Sequence, residues 1–519
     1  MTPTQRNSVA PSGSWVVRAL DVVERIGNRL PDPITLFAIF AGLVVIISWI
    51  AAATGVSAVH PGTQATIEPV NLLSAEGVRR MFVEAVRNFT AFPPLGLVIV
   101  VILGIGVTER SGLITVALKR LVRAVPDSLL TATLVFAGVM SSMAVDAGYV
   151  VLTPLGAVLF AAIGRHPLAG LAAAFAGVSG GFSANLLLTS LDPLLAGLST
   201  EAARLVDPAY VVLPTANYYF MIASVPMLTL VGTFVTARFV EPRLGKWEPA
   251  GGVGVVGLDS NELGDVTPAE RRGLRAAAIA FLVTVALMAL LVVPDNAILR
   301  DDEGGLAPFY ASIVPLIMML FLITGIAYGV AAKTIRSDRD VAIMMSESVA
   351  MLGAYIVLAF MAAQFVAYFN WSNLGIILAI KGAGTLQAIG FTGIPLLLSF
   401  VIVSGFINLF IGSASAKWAV MAPVFVPMLM LMGYSPEVVQ ASYRIGDSST
   451  NIITPLLPYF PVIIAFAQKY DRRAGIGTLI SAMLPYSIAF MLAWLILLTL
   501  WMLSGLPLGP AAPMEYVPR

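Results

Sequence analysis

The chain has 519 residues; 58% are hydrophobic and 11% are charged, where a soluble domain carries about a quarter of its residues as charges. No soluble core absorbs that much apolar sequence, but a bilayer does, because it replaces water as the solvent for apolar side chains. A formal net charge of +1 gives no pull toward nucleic acid, the absence of Cys excludes a disulfide framework, a thiolate metal site and a Cys nucleophile, and two His (His60 and His166) are too few for a His-built metal cluster.

The N-terminal stretch, MTPTQRNSVAPSGSW, is polar and lacks an apolar core with a small-residue cleavage site, so it does not read as a cleaved signal peptide. Residues 1–32, with Arg18, Arg25 and Arg29, read as a cytoplasmic segment. Apolar runs then follow at 33–54, 93–109, 127–145, 149–164, 211–236, 273–294, 309–332, 347–369, 393–411, 418–432 and 474–504. A spanning helix needs about 20 residues, and several of these runs are shorter. Basic clusters separate them: Lys119, Arg120 and Arg123; Arg238, Arg243, Lys246, Arg271, Arg272 and Arg275; Lys333, Arg336 and Arg339; Lys469, Arg472 and Arg473. The positive-inside rule places these in the cytoplasm. The polar 55–90 segment reads as external, although Arg79, Arg80 and Arg87 lie in it. The Gly- and acid-rich stretch at 241–272 reads as a cytoplasmic linker between a first membrane half (33–240) and a second (273–504), with 505–519 as a tail.

The two halves resemble each other at a constant offset of 269 residues. Pro154 matches Pro423, Gly164 matches Gly433, and Pro167 matches Pro436. Ala172, Gly177 and Ser179 match Ala441, Gly446 and Ser448. The identities fall mainly on Pro and Gly, where backbone geometry is decided. Each copy has an apolar helix broken by small and polar residues (SSMAVDAG at 141–148, GSASAKW at 412–418), a second apolar helix, a turn, and a segment with a polar centre. Those centres are GVSGGFSAN at 177–185, which ends on Asn185, and GDSSTN at 446–451. The apolar sequence before the first centre is far too short to cross about 30 Å of hydrocarbon. A Ser/Gly/Asn tip facing lipid would leave its backbone without partners. Two re-entrant hairpins buried in protein, near 168–192 and 437–467, satisfy both constraints; a pair of kinked helices is the alternative. The first turn carries Arg165 and His166, the second Glu437 and no base, a bias that suits opposite sides of the membrane and hence an inverted repeat. The fold class is therefore an all-α polytopic membrane protein, and the matched hairpins point to a secondary transporter.

Charge inside a bilayer costs a few kcal/mol or more, so membrane-depth ionisable residues are functional candidates. Five stand out: Asp146, Asp192, Lys417, Arg444 and Asp447. Asp192, just after the first hairpin, could take up a proton or bind a cation, or it could cap a helix before Pro193. Desolvation there would raise its proton affinity. Arg444 and Asp447 share a helical face; Arg444 could clamp a carboxylate or sulfonyl group, or the two could form a structural ion pair. Asp447 opens a run of oxygen ligands, Asp447–Asn451, and with Asn408, Ser413 and Ser415 it offers a hard cation such as Na+ a binding set. Trp418 could stack on a substrate ring or sit in an interfacial belt. Asp146 and Lys417 could pair with each other, or Lys417 could snorkel.

The segments SGGFSANLLLTSLDPLLAG at 179–197 and NLFIGSASAKWAVMAPVFVPMLMLMGYSPEVVQASYRIGDSSTNIITPLLPYFP at 408–461 resemble the p-aminobenzoyl-glutamate transporter (AbgT) family, over nearly the whole chain. The resemblance implies about nine transmembrane helices plus two re-entrant hairpins per protomer, in a homodimer in the bacterial inner membrane. It implies transport of p-aminobenzoyl-glutamate, or antiport export of sulfonamide antimetabolites driven by proton motive force, with Na+ as the one associated ion and no other cofactor. By motif, Asp192, Trp418, Pro436, Arg444 and Asp447 fall on the substrate and proton path, with Asn185, Ser415 and Pro455 secondary. Asn408 and Asp447 fall on the Na+ site. Both substrates present an aminobenzene ring and an acidic group, which an arginine fork beside a tryptophan would recognise.

A Na+-coupled dicarboxylate carrier shares the repeat-plus-hairpin build and is the nearest rival. A channel would conduct without saturable substrate dependence. No nucleophile–base pairing suggests an enzyme, and no G-x-x-x-x-G-K-[ST] loop suggests an ATP-driven pump.

Overall fold

The structure, a computed structural model, describes residues 31–517 except 32, 60–63, 124–125, 144–147, 246, 248–265, 455, 458 and 473. Helices dominate; one short ribbon, β1 (Ala58–Val59) and β2 (Thr66–Ile67), pairs antiparallel. α1 (Pro33–Thr54) leaves Leu43, Ile46, Ile47 and Ile50 exposed, a continuous apolar face that marks contact with lipid. The segment expected to be an external polar stretch holds α2 (Ala75–Thr90), an amphipathic helix capped by Ser74, whose side chain accepts the Gly77 N–H at 3.1 Å. α3 (Pro93–Arg110) and α4 (Leu113–Arg123) follow.

The first repeat comprises five helices. α5 (Leu130–Met140) continues into a 3-10 turn (Ser141–Met143), and beyond residues 144–147, which lie outside the described ones along with the break expected there, a π-helical turn (Gly148–Leu152) leads into α6 (Thr153–Ala162). α7 (Pro167–Phe175) is extended by a π turn to Gly180. α8 (Leu191–Ala203) follows an irregular tip, and α9 (Tyr218–Val235) closes the repeat. Between the repeats lie α10 (Pro268–Leu290), α11 (Ile313–Ala332), α12 (Asp338–Ala350), α13 (Gly353–Trp371) and α14 (Leu374–Ala388). Capping boxes start two of them, Thr267 with Glu270 and Ser337 with Asp340. The second repeat is α15 (Gly393–Asn408), α16 (Ala414–Met430), α17 (Pro436–Asn451), α18 (Phe460–Gln468) and α19 (Ile476–Ser504).

Local geometry explains the matched residues. Gly164 and Gly433 both take positive φ, 75° and 92°, the left-handed turn that ends a helix without a Cβ penalty. Pro167 and Pro436 each begin the next helix, where the missing N–H is not needed. The His166 side chain caps one of these helices and Ser435 the other. Burial pushes the His166 imidazole below its ordinary value, which keeps its acceptor nitrogen free for that cap. Gly177 and Gly446 let the hairpin helices touch the backbones of α5 and α15: a Cβ on Gly177 would strike Val135 O, and one on Gly446 would strike Val401 O.

Packing is reciprocal between the repeats. α8 packs on α16 and α17, while its counterpart α18 packs on α6. The tips dock on the composite spans: Asn185 Nδ2 donates to Ser142 Oγ at 2.8 Å, and Thr454 Oγ1 donates to Leu409 O at 3.3 Å. Tyr459 of the second tip stacks on Tyr149 of the π turn before α6, centroids 4.3 Å apart.

Among the described residues, seven helices are long and apolar enough to cross a membrane by length and composition. Two further spans are composite, α5 with α6 on either side of residues 144–147 and α15 with α16 interrupted at 409–413, which gives nine. The arms of the two remaining helix pairs have at most 16 residues, about 24 Å at 1.5 Å per residue, too little for a full crossing. The linker expected at 241–272 lies largely outside the described residues; Glu241–Leu244 continues α9 helically.

Candidate functional site

Asp192 lies in the first turn of α8, Lys417 and Trp418 in the first turns of α16, and Arg444 and Asp447 on α17. All five are buried. Helical spacing makes Arg444 and Asp447 neighbours, but the structure does not pair them with each other. Arg444 Nη1 donates to Asp192 Oδ1 at 2.6 Å, and Lys417 Nζ donates to Asp447 Oδ1 at 2.6 Å. One turn of α17 thus anchors two ion pairs to two other elements. Lys417 is fully buried and does not snorkel; Asp146, its suggested partner, lies outside the described residues.

Asp192 is also a helix-start residue. Its Oδ2 accepts Thr189 N–H at 2.6 Å and Thr189 Oγ1–H at 2.9 Å. This turn contact and the ion pair coexist because one carboxylate has lone pairs for both; the N-cap of α8 is Ser190, not Asp192. Asp192 is buried, as the sequence suggests, and its carboxylate is paired.

Arg444 keeps donors in reserve. Its Nε is buried without a partner, as is Ser183 Oγ, and both residues line a void of about 10 Å³ with Asn217, Phe220, Met221 and Trp494. That space suits one water and no aromatic acid. The candidate site is closed, and its wall is largely apolar and aromatic.

Trp418 is absent from that wall. Its indole is fully buried, lies 4.4 Å from the Tyr443 ring centroid, and donates from Nε1 to Ser199 Oγ at 3.0 Å. Ser199 Oγ donates to Gln440 Oε1 at 2.7 Å, Gln440 Nε2 to Asn217 Oδ1 at 2.9 Å, and Asn217 Nδ2 to Glu437 O at 2.8 Å. This run ties α16, α8, α17 and the start of α9 together. Asn217 belongs both to the run and to the void, so the Trp418 network borders the Arg444 site indirectly.

The other sequence candidates fall as follows. Asn408 Nδ2 donates to Asp447 O, Thr450 Oγ1 and Asn451 Oδ1, and its Oδ1 accepts Lys417 Nζ at 2.6 Å. Asn185 secures the first tip. Ser415 shares a hydrogen bond with Ser413 at 3.2 Å at the start of α16. Pro436 opens α17. Pro455 lies outside the described residues. Sequence reasoning did not find Ser199, Asn217 or Gln440, whose residue types are ordinary in helix and turn positions.

Composite helices facing short helix pairs, with charges paired in a buried interior, define a membrane carrier. A model of the AbgT putative transporter family matches residues 18–516, and the chain belongs to that family. It is 40% identical over 506 residues to the p-aminobenzoyl-glutamate transport protein of Escherichia coli (strain K12), covering 97% of this chain and 98% of that one. The crystal structure of the Alcanivorax borkumensis YdaH transporter, described as having an unusual topology, matches with a TM-score of 0.86 at 46% identity, over 92% of this chain and all of that one. Neisseria gonorrhoeae MtrF, described as illuminating a class of antimetabolite efflux pumps, matches with a TM-score of 0.89 at 48% identity, over 96% of this chain and all of that one. The chain is a multi-pass membrane transporter and not an enzyme.

Proposed function

We propose that this chain is a secondary active transporter of p-aminobenzoyl-glutamate-like aromatic acids, and that the Asp192–Arg444 pair is its coupling element. The observation that carries this reading is the 2.6 Å contact of Arg444 Nη1 with Asp192 Oδ1 beside a void lined by Phe220, Met221 and Trp494. When the hairpins part, a substrate carboxylate takes the Arg444 fork, for which a guanidinium is well shaped. Asp192 then loses its cation. A buried carboxylate without a partner is costly as an anion, so it takes a proton from the water on the open side. Substrate and proton favour each other's binding, and that coupling is reciprocal. Both are released on the far side, where Asp192 and Arg444 re-form their pair. This is proton–anion cotransport driven by proton motive force; Na+ is the other ion the family resemblance offers. The aromatic wall receives the ring, and Trp418 is a positioning residue that fixes Ser199 and Gln440.

The short helix pairs act as re-entrant hairpins. With both re-entrant, five spans separate the starts of the two composite helices, and an odd number inverts the second repeat. The N-terminus is cytoplasmic, the membrane is the bacterial inner membrane, and the working unit is a homodimer in which the hairpin-bearing core moves against a scaffold. The likeness to MtrF supports antimetabolites as competing ligands; sulfonamides, which the family resemblance offers, share the aminobenzene ring and an acidic group.

A competition assay tests the substrate class. Unlabelled p-aminobenzoyl-glutamate should displace its labelled form from the purified protein at concentrations where succinate does not. Displacement by succinate at equal concentration would favour the dicarboxylate carrier instead.

A further inference from the structure

Lys417 is an unusual residue to find fully buried in a membrane protein. Its Nζ donates to Asn408 Oδ1 and Asp447 Oδ1, both at 2.6 Å, and lies 5.1 Å from the Tyr443 ring centroid. An amide oxygen, a carboxylate oxygen and an aromatic face together make a monovalent-cation position. The oxygens are held in place from behind. Asn408 spends its Nδ2 on Asp447 O, Thr450 Oγ1 and Asn451 Oδ1, so its Oδ1 faces the lysine. Asn451 Nδ2 donates to Asp447 Oδ2 at 3.3 Å, leaving Oδ1 for Lys417.

These are the same two oxygen-bearing residues, Asn408 and Asp447, that the sequence offers to Na+. The residues present do not fit a metal ion there. The ammonium already fills the space between the two oxygens, and a second cation at bonding distance from them would meet its charge in a medium that screens poorly. Lys417 reaches the position from the second break, at the helix start that its repeat shares with Trp418.

We infer that Lys417 is a built-in cation: its ammonium stands where a coupling Na+ would sit, so the wild-type chain binds no Na+ at Asn408 and Asp447, and removing the charge while keeping the oxygens creates a Na+ site. The inference builds on the hairpin region being the transport site, as proposed above. Its test reads cation binding directly, so an error in the substrate or in Asp192 leaves the outcome unchanged.

The experiment titrates NaCl, KCl and choline chloride at constant ionic strength against the purified full-length protein, following thermal unfolding and tryptophan fluorescence. Wild type should respond to all three salts alike. Lys417→Met should gain a saturable, Na+-specific rise in melting temperature of a few degrees, and the Lys417→Met/Asp447→Asn double variant should lose it. A saturable Na+-specific stabilisation of wild type that Asp447→Asn abolishes overturns the inference, and so does a folded Lys417→Met that stays blind to Na+. If Lys417→Met does not fold, the wild-type titration decides alone: a Na+-specific shift overturns the inference and its absence supports it.

Discussion

Arg444 Nη1 and Asp192 Oδ1 meet at 2.6 Å although 252 residues separate them in sequence. Their contact joins the second arm of the first helix pair to the first arm of the second. Any motion that parts the two repeats at this point must break it.

Removing one partner should therefore cost more than removing both. A buried charge left alone costs about 3–5 kcal/mol, while replacing a whole buried pair is often near neutral. Arg444→Gln and Asp192→Asn should each lower the melting temperature in detergent by several degrees. The Asp192→Asn/Arg444→Gln double variant should recover a large part of that loss. Additive losses would show that the pair is not coupled in the folded state.

Trp418 leads to a different expectation. Trp418→Phe keeps a ring against Tyr443 but removes the Nε1 donor to Ser199. It should destabilise the protein by about 1 kcal/mol, the net worth of an ordinary hydrogen bond. Binding of p-aminobenzoyl-glutamate, measured by isothermal titration, should change by less than about threefold. Arg444→Ala should weaken the same binding by tenfold or more, the loss expected of a charged hydrogen bond. A Trp418→Phe effect as large as that of Arg444→Ala would place Trp418 on the substrate.

Glycine positions separate close packing from helix propensity. In Gly446→Ala the new Cβ meets Val401 O and the Gly405 backbone, and crowding of this kind costs about 1–3 kcal/mol. Gly384→Ala, at an exposed position of α14 with nothing within 4 Å, should stabilise by up to about 1 kcal/mol through helix propensity. Thermal unfolding of the two variants should therefore move in opposite directions.

Much of the architecture was legible because bilayer physics writes it into single residues. The paired Gly164 and Gly433, and Pro167 and Pro436, mark equivalent turns because only those residue types suit those backbones. The short apolar stretch before Ser179 excluded a full crossing by length alone. Partner choice was not legible. Arg444 and Asp447 are one turn apart, and spacing along a helix says nothing about the charges that α8 and α16 bring from outside. Trp418 read as either a plate for a substrate ring or an interfacial-belt residue, and sequence does not show that Tyr443 and Ser199 close around it. α2 was missed as a helix because its apolar face (Phe82, Val83 and Val86) alternates with Arg79, Arg80 and Arg87, so the segment as a whole looks polar.

The central claim is that the Asp192–Arg444 pair couples an anionic substrate to protons. The most direct measurement follows labelled p-aminobenzoyl-glutamate into proteoliposomes under a ΔpH and a Na+ gradient imposed separately, for wild type and Asp192→Asn. Wild type should accumulate the label uphill with acid outside, gain nothing from inward Na+ at equal pH, and lose the uphill component in Asp192→Asn. Accumulation driven by Na+ at clamped pH, or an Asp192→Asn variant that concentrates the label as wild type does with the same pH dependence, would contradict it.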